Sequence, residues 1–193
     1  GNTIVDVVLS NLKLACGKKD VLKKYDVKKD RYFLLTLHRQ ENVDSKGRFA
    51  SIVRGINSVA RTSGVPIIFP AHPRTMTKIK KFNLRFNDNI KLIEPLDFLT
   101  FLYMESAASL ILTDSGGVQE EACILKVPCV TLRHNTDRPE TVSVGANMIG
   151  GTEPATIRKA VAKMSIRKKD WNNPFGNGNA SVKMLDILLR ELD

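Results

Sequence analysis

A chain of 193 residues with 42% hydrophobic side chains is long enough to build one domain whose core needs neither disulfides nor a metal. Its three cysteines, Cys16, Cys123 and Cys129, are odd in number and form no CxxC pair, which excludes a disulfide framework or a thiolate metal site and leads us to expect a reducing, cytoplasmic setting. The net charge of +10 comes mostly from lysines spread over amphipathic stretches such as Lys23-Lys24 and Lys78-Lys80-Lys81; few aromatics interleave with them, so solvated helix faces are favoured over a nucleic-acid groove.

No apolar run approaches the length of a membrane span, and no charged-then-apolar leader opens the chain. It starts at Gly1, without a methionine and already in helix-like sequence, as a fragment or a processed product would. In chain order, Asn2–Ala15 reads as a helix preceding the first strand. The short β-branched and apolar runs Tyr32–Leu37, Pro66–Pro70, Ile90–Ile93, Leu110–Thr113, Pro128–Leu132 and Met148–Ile149 read as strands. Between and after them, Phe49–Ser63, Arg74–Phe82, Phe98–Ala107, Val118–Leu125 and Pro154–Met164 carry apolar residues at helical spacing. The first of these places Phe49, Ile52, Val53, Ile56, Val59 and Ala60 on one face. Ser181–Leu192 reads as a last helix, capped by Ser181 or a neighbour, after the loop Asn173–Gly178. Strands alternating with helices of this length predict an α/β fold: a Rossmann-like parallel sheet with helices on both faces. No internal repeat or domain boundary is legible, so residues 1–193 are read as one domain.

In such a sheet, ligands bind beyond the carboxyl ends of the strands. The strand Leu110–Thr113 runs into Asp114-Ser115-Gly116-Gly117-Val118-Gln119-Glu120-Glu121. A helix N-terminus there offers unpaired N–H groups, and the glycines let a phosphate approach the backbone. Glu121, about a turn later, is placed to accept from ribose hydroxyls. The plain alternative is an ordinary Ser-capped helix after a Gly turn.

The first strand ends in His38-Arg39-Gln40-Glu41-Asn42, where a guanidinium fork and an imidazole suit a diphosphate. His72 is braced between prolines at the next strand end. Arg138 precedes Pro139, which suits the first turn of a helix aimed at the same crevice; pairing of Arg138 with Asp137 or Glu140 is the alternative. Phe101 follows the strand at Ile90–Ile93 and could pack on a base or in the core. Each signal is moderate, but together they converge on one sheet edge.

Read in order, these motifs resemble the C-terminal half of the non-hydrolysing UDP-N-acetylglucosamine 2-epimerases. The matching pieces are Gly1-Asn2-Thr3, Leu37-His38-Arg39-Gln40-Glu41-Asn42, Pro70-Ala71-His72, Glu94-Pro95-Leu96, Thr113 through Ala122, Arg138-Pro139-Glu140 and Asn173-Pro174-Phe175-Gly176. The resemblance implies the C-terminal domain of a two-domain GT-B-type fold, with UDP-sugar in the cleft and no metal or cofactor. Ser115, Gly116 and Gly117 would hold the diphosphate, Glu121 the ribose, Arg138 a phosphate, and Phe101 would lie against the uracil. His38 would be the catalytic residue of this half, beside the diphosphate, with Arg39, Glu41 and His72 lining the cleft.

The implied reaction inverts C2 of UDP-GlcNAc to give UDP-ManNAc by elimination and re-addition of UDP. The family's proton-transferring carboxylates belong to the N-terminal half, which no part of this chain matches, so the chain alone is expected to bind weakly and to be inactive. The implied partners are the UDP-sugar and the missing N-terminal domain, not nucleic acid or membrane, and homo-oligomerisation stays open. Other readings are a hydrolysing epimerase, a GT-B glycosyltransferase donor domain (against which the HRQEN and RPE pieces argue) and a non-catalytic nucleotide-binding module.

Overall fold

The computed structural model describes residues 1–192. Its elements are α1 (Thr3–Ala15), a 3₁₀ turn, α2 (Asp20–Lys24), β1 (Phe33–Thr36), α3 (Gln40–Val43), α4 (Lys46–Ser63), β2 (Ile67–Pro70), α5 (Pro73–Lys81), β3 (Ile90–Ile93), α6 (Phe98–Ala107), β4 (Leu110–Thr113), α7 (Gly116–Ile124), β5 (Cys129–Thr131), α8 (Pro139–Ser143), β6 (Asn147–Ile149), α9 (Pro154–Ser165) and α10 (Ala180–Leu192). Every expected strand is present: Ile90–Ile93 and Leu110–Thr113 with the bounds read, the first, second and fifth trimmed by one residue at one or both ends, and the last beginning one residue earlier, at Asn147. The short α2 and α3 were not anticipated, because four or five polar-rich residues carry no periodicity to read.

The six strands form one sheet in the order β3-β2-β1-β4-β5-β6, and every pairing is parallel. The chain runs outward from β1 to β3, returns to the centre as β4, and then runs the other way. The two central strands, β1 and β4, are therefore the topological switch point, where a crevice opens at their carboxyl ends.

Both faces of the sheet are covered, and strand side chains alternate between them. Phe33, Leu35, Ile67, Phe69, Leu110 and Leu112 point into a core shared with α4, α5 and α9. Leu34, Ile68, Ile111 and Cys129 point the other way, onto α2, α6 and α7. In α4, Ser45 caps the N-terminus by accepting from the Arg48 N–H, and Gly64, at φ 63°, ends the helix in the left-handed conformation that favours glycine. Gly55 lets α4 sit against α9, since a Cβ there would lie 2.8 Å from Ile157 Cδ1 and 3.2 Å from Pro154 Cα.

A third apolar cluster joins α1 to the outer faces of α6 and α7 through Val5, Val8, Leu102, Cys123, Trp171 and Phe175. The last helix departs from the sequence reading. It starts at Ala180, and Asp6 of α1 caps it, accepting from the Ala180 and Ser181 N–H groups at 3.2 and 3.0 Å and from Ser181 Oγ at 2.6 Å. Ser181 is thus a donor to a distant carboxylate rather than the cap. Past the capped residues α10 leaves Val182, Leu185, Leu188 and Leu189 exposed.

Candidate functional site

Thr36 and Thr113, the last residues of β1 and β4, pair in register, and their hydroxyls meet at 2.6 Å. His38 and Ser115 each lie two residues further on, so both stand at the carboxyl edge on the same side of the sheet, over the switch point.

Asp114 organises this edge. Its side chain is fully buried, and it accepts the His38 N–H at 3.1 Å, the Arg39 N–H at 2.9 Å and Asn42 Nδ2 at 3.0 Å. Its Oδ1 also lies 3.4 Å from His38 Nδ1. The ring is held by one nitrogen and stays half exposed, leaving Nε2 free to meet a ligand. A buried carboxylate is tolerated here because it is surrounded by donors. Asp114 was not given a role in the sequence reading; the signal was a charged residue wedged between a buried strand and a glycine pair.

From Ser115, α7 begins at Gly116, two residues earlier than its apolar pattern indicates, so both glycines lie in the first helical turn. Ser115 occupies the N-cap position, but its side chain caps nothing, and the first turn carries no acidic residue. The Ser-capped alternative is thereby set aside, and the N–H groups of the first turn have no side-chain cap.

Two guanidinium groups crowd this helix end. A Cβ built on Gly116 would sit 3.7 Å from both Arg138 Cζ and Arg39 Nη2, as well as from Asp137 Oδ2. Arg39 is tied to Asp137 at 2.8 Å, and Asp137 in turn takes Arg133 Nη1 at 3.1 Å. Burial pushes the Asp137 carboxyl up, but the hydrogen bonds from Arg133 and Arg39 outweigh it and hold the group below its usual range. Arg138 pairs neither with Asp137's carboxylate nor with Glu140. Its Nε lies 2.8 Å from Oε1 of the buried Glu120, because α7 packs directly under the start of α8. Pro139 opens α8, as expected.

The Gln119-Glu120-Glu121 run therefore splits into three tasks. Gln119 is fully buried; its Oε1 accepts from Asn147 Nδ2 at 3.1 Å and from Thr136 Oγ1, fastening the β5–α8 loop and β6 to α7. Glu120 fixes Arg138 and also takes Asn2 Nδ2 at 2.9 Å. Glu121, partly buried, turns toward α6.

On the other side of the crevice a groove is lined by His38, His72, Pro95, Leu96, Phe101 and Val118. His72 caps α5, its Nδ1 accepting the Arg74 N–H at 3.2 Å, which leaves Nε2 as the free ring nitrogen. Phe101 is partly buried against the core beneath α6, one of the two fates read for it from sequence, and it also lines the groove. Glu41 is drawn aside: it accepts from Arg133 Nε at 2.7 Å and lies 3.7 Å from Arg48. Among the described residues there is no cluster of three or more His, Cys, Asp or Glu that could hold a metal, and no helix is long and apolar enough to cross a membrane.

Comparison with known proteins assigns the chain to a family. The family model for UDP-N-acetylglucosamine 2-epimerase matches residues 1–189. A UDP-N-acetylglucosamine 2-epimerase of Methanocaldococcus jannaschii is 53% identical over 97% of this chain and 53% of its own length, and one of Methanococcus maripaludis is 48% identical over 99% and 54%. The crystal structure of the M. jannaschii enzyme in complex with UDP-GlcNAc and UDP superposes with a TM-score of 0.91 at 52% identity, covering 98% of this chain and 54% of that one. That of the Neisseria meningitidis enzyme bound to UDP-GlcNAc gives 0.82 at 32% identity, covering 98% and 54%. This chain belongs to the UDP-N-acetylglucosamine 2-epimerase family, and it spans about half the length of the relatives it matches.

Proposed function

We propose that the chain is the UDP-binding, C-terminal domain of a GT-B-type UDP-N-acetylglucosamine 2-epimerase, converting UDP-GlcNAc to UDP-ManNAc together with an N-terminal half that supplies the proton-transferring groups. The observation that carries this reading is the uncapped start of α7, faced by the guanidinium groups of Arg39 and Arg138 at the switch point of the sheet. Backbone N–H groups at Gly116 and Gly117, the Ser115 hydroxyl and two cations make a site for a diphosphate. Phe101 offers a face to the uracil, and Glu121 takes the ribose hydroxyls.

In the reaction, a base of the other half takes the proton from C2 while the C1–O bond breaks and a C1–C2 double bond forms. UDP departs with the bonding electrons, so charge grows on the diphosphate at the moment of cleavage. Groups fixed before the event stabilise that charge without reorganisation. His38, oriented through Asp114, presents Nε2 to the departing phosphate oxygen. UDP then adds back to C1 as C2 is protonated on the opposite face. Glu41 supports the site by orienting Arg133, and His72 closes the side of the groove. The free thiols, two of them buried, suit a reducing cytoplasm.

Titration with UDP, UMP and uridine tests the reading: UDP should bind at least about tenfold more tightly than uridine, equivalent to one charged hydrogen bond or more. UDP-GlcNAc followed by NMR should remain unchanged with this chain alone and epimerise when the chain is joined to its N-terminal half. Equal affinity for UDP and uridine would overturn the diphosphate assignment.

A further inference from the structure

The mechanism above leaves one buried acidic group without a task. Glu105 sits in α6 within the apolar run Phe98–Ala107 and is fully buried. Neither of its carboxyl oxygens has a hydrogen-bond donor from any described residue. α6 packs on α7, and the side chain of Glu121 on α7 is the polar group that acts on Glu105. Two carboxylates facing each other have only acceptors between them, and both would repel. A single proton resolves the conflict, because a carboxylic acid can donate to a carboxylate.

We propose that Glu105 is a positioning residue: a neutral carboxylic acid that donates its proton to Glu121 and thereby holds the Glu121 carboxylate in one orientation. The proposal rests on the reading of Glu121 as the ribose acceptor, and it adds what fixes that acceptor. Phe101 and Glu105 are one turn apart on the same face of α6, as Val118 and Glu121 are on α7. Each carboxyl thus lies one turn along its helix from a residue that lines the groove, Phe101 or Val118.

The surroundings favour one proton on the pair. Burial, then the charge of Glu121, push the Glu105 carboxyl well above its ordinary value of 4.5. Burial also raises Glu121, the hydrogen bond from Glu105 lowers it, and the neighbouring Glu120 raises it again. Glu120 is itself paired with Arg138. Glu105 acts in turn on Tyr32, just before β1, and Cys129 of β5, whose own protons burial holds tightly. No cation is among the groups acting on either carboxyl of the pair. The folded-state pKa of Glu105 lies above its unfolded one, so folding takes up a proton. Stability is full below about pH 4.5 and is lost as the pH rises through the folded value.

The test uses carboxyl-¹³C glutamate labelling of the chain, followed by NMR across pH, with Glu105→Gln and Glu105→Met alongside. The Glu105 signal, the one absent from both variants, and the Glu121 signal, displaced in them, should titrate together in the parent, with one neutral carboxyl persisting at pH 7. Both carboxyls ionised at pH 7 would overturn the shared proton, whether or not UDP binds. UDP affinity of the parent should decline at alkaline pH as Glu105 loses its proton; Glu105→Gln, whose amide still donates, should keep the affinity within about threefold and show no such decline. Glu105→Met, which fits an apolar site but cannot donate, should lose roughly tenfold, the scale of a charged hydrogen bond. Both variants should melt higher than the parent by a wider margin at pH 8 than at pH 5. Unchanged UDP affinity in Glu105→Met would overturn the positioning role. Absence of UDP binding to the parent chain would instead remove the nucleotide reading of Glu121, while the NMR result still decides the proton.

Discussion

Asp114 and His38 follow different strands, 76 positions apart in sequence, yet the Asp114 carboxylate accepts the His38 backbone N–H at 3.1 Å and lies 3.4 Å from its Nδ1. One buried acid thus sets both the loop conformation after β1 and the orientation of the ring. Asp114→Asn puts an amide donor where only an acceptor is wanted. Since three N–H groups converge on the carboxylate, the substitution should cost about 2–4 kcal/mol. Urea unfolding reads this directly, and an unchanged midpoint would dismiss the organising role.

Arg138 is expected to act on phosphate rather than on nucleoside. Arg138→Gln should weaken UDP by roughly tenfold and leave uridine unaffected, as the loss of one charged hydrogen bond implies. Equal losses for both ligands in calorimetry would instead mark Arg138 as a clamp on Glu120.

Glu121→Gln keeps the shape of the ribose acceptor and removes its charge. UDP should weaken by roughly tenfold, while 2′-deoxy-UDP, already a poorer ligand, should respond less. If both nucleotides lose affinity equally, Glu121 does not read the ribose.

The cap on α10 should titrate. Hydrogen bonds from Ser181 hold the Asp6 carboxyl below its ordinary 3.8. Its folded pKa lies under the unfolded one, so the stabilisation is present above about pH 3.8 and is lost as the pH falls through the folded value. Amide exchange in α10 should therefore accelerate in acid, and Asp6→Asn should bring the faster exchange to neutral pH. Identical exchange in parent and variant at pH 7 would contradict the cap.

Gly55→Ala probes the scaffold apart from the site. The added methyl would meet Ile157 Cδ1, which can yield, and Pro154 Cα, which cannot. Separation of α4 from α9 should cost about 1–3 kcal/mol in thermal unfolding, with UDP affinity unchanged.

The sequence by itself determined the alternation of strands and helices, because period-2 and period-3.6 patterns are local. It also fixed the composition of the strand ends, since a buried strand followed by polar and glycine residues is a local contrast. His38, Arg39, Ser115, Gly116 and Arg138 were legible for that reason. Only the tertiary structure decided that β1 and β4 are neighbours, which turns two separate strand ends into one crevice. It likewise decided the partners: Asp114 with His38, Glu120 with Arg138, Asp6 with the start of α10, and Glu105 with Glu121. Each of those pairs joins residues on different elements, and a carboxylate in a sequence looks the same whether it will face solvent, a guanidinium or another carboxylate. What distinguishes them is desolvation and the donors within reach, and both are fixed only when the layers close.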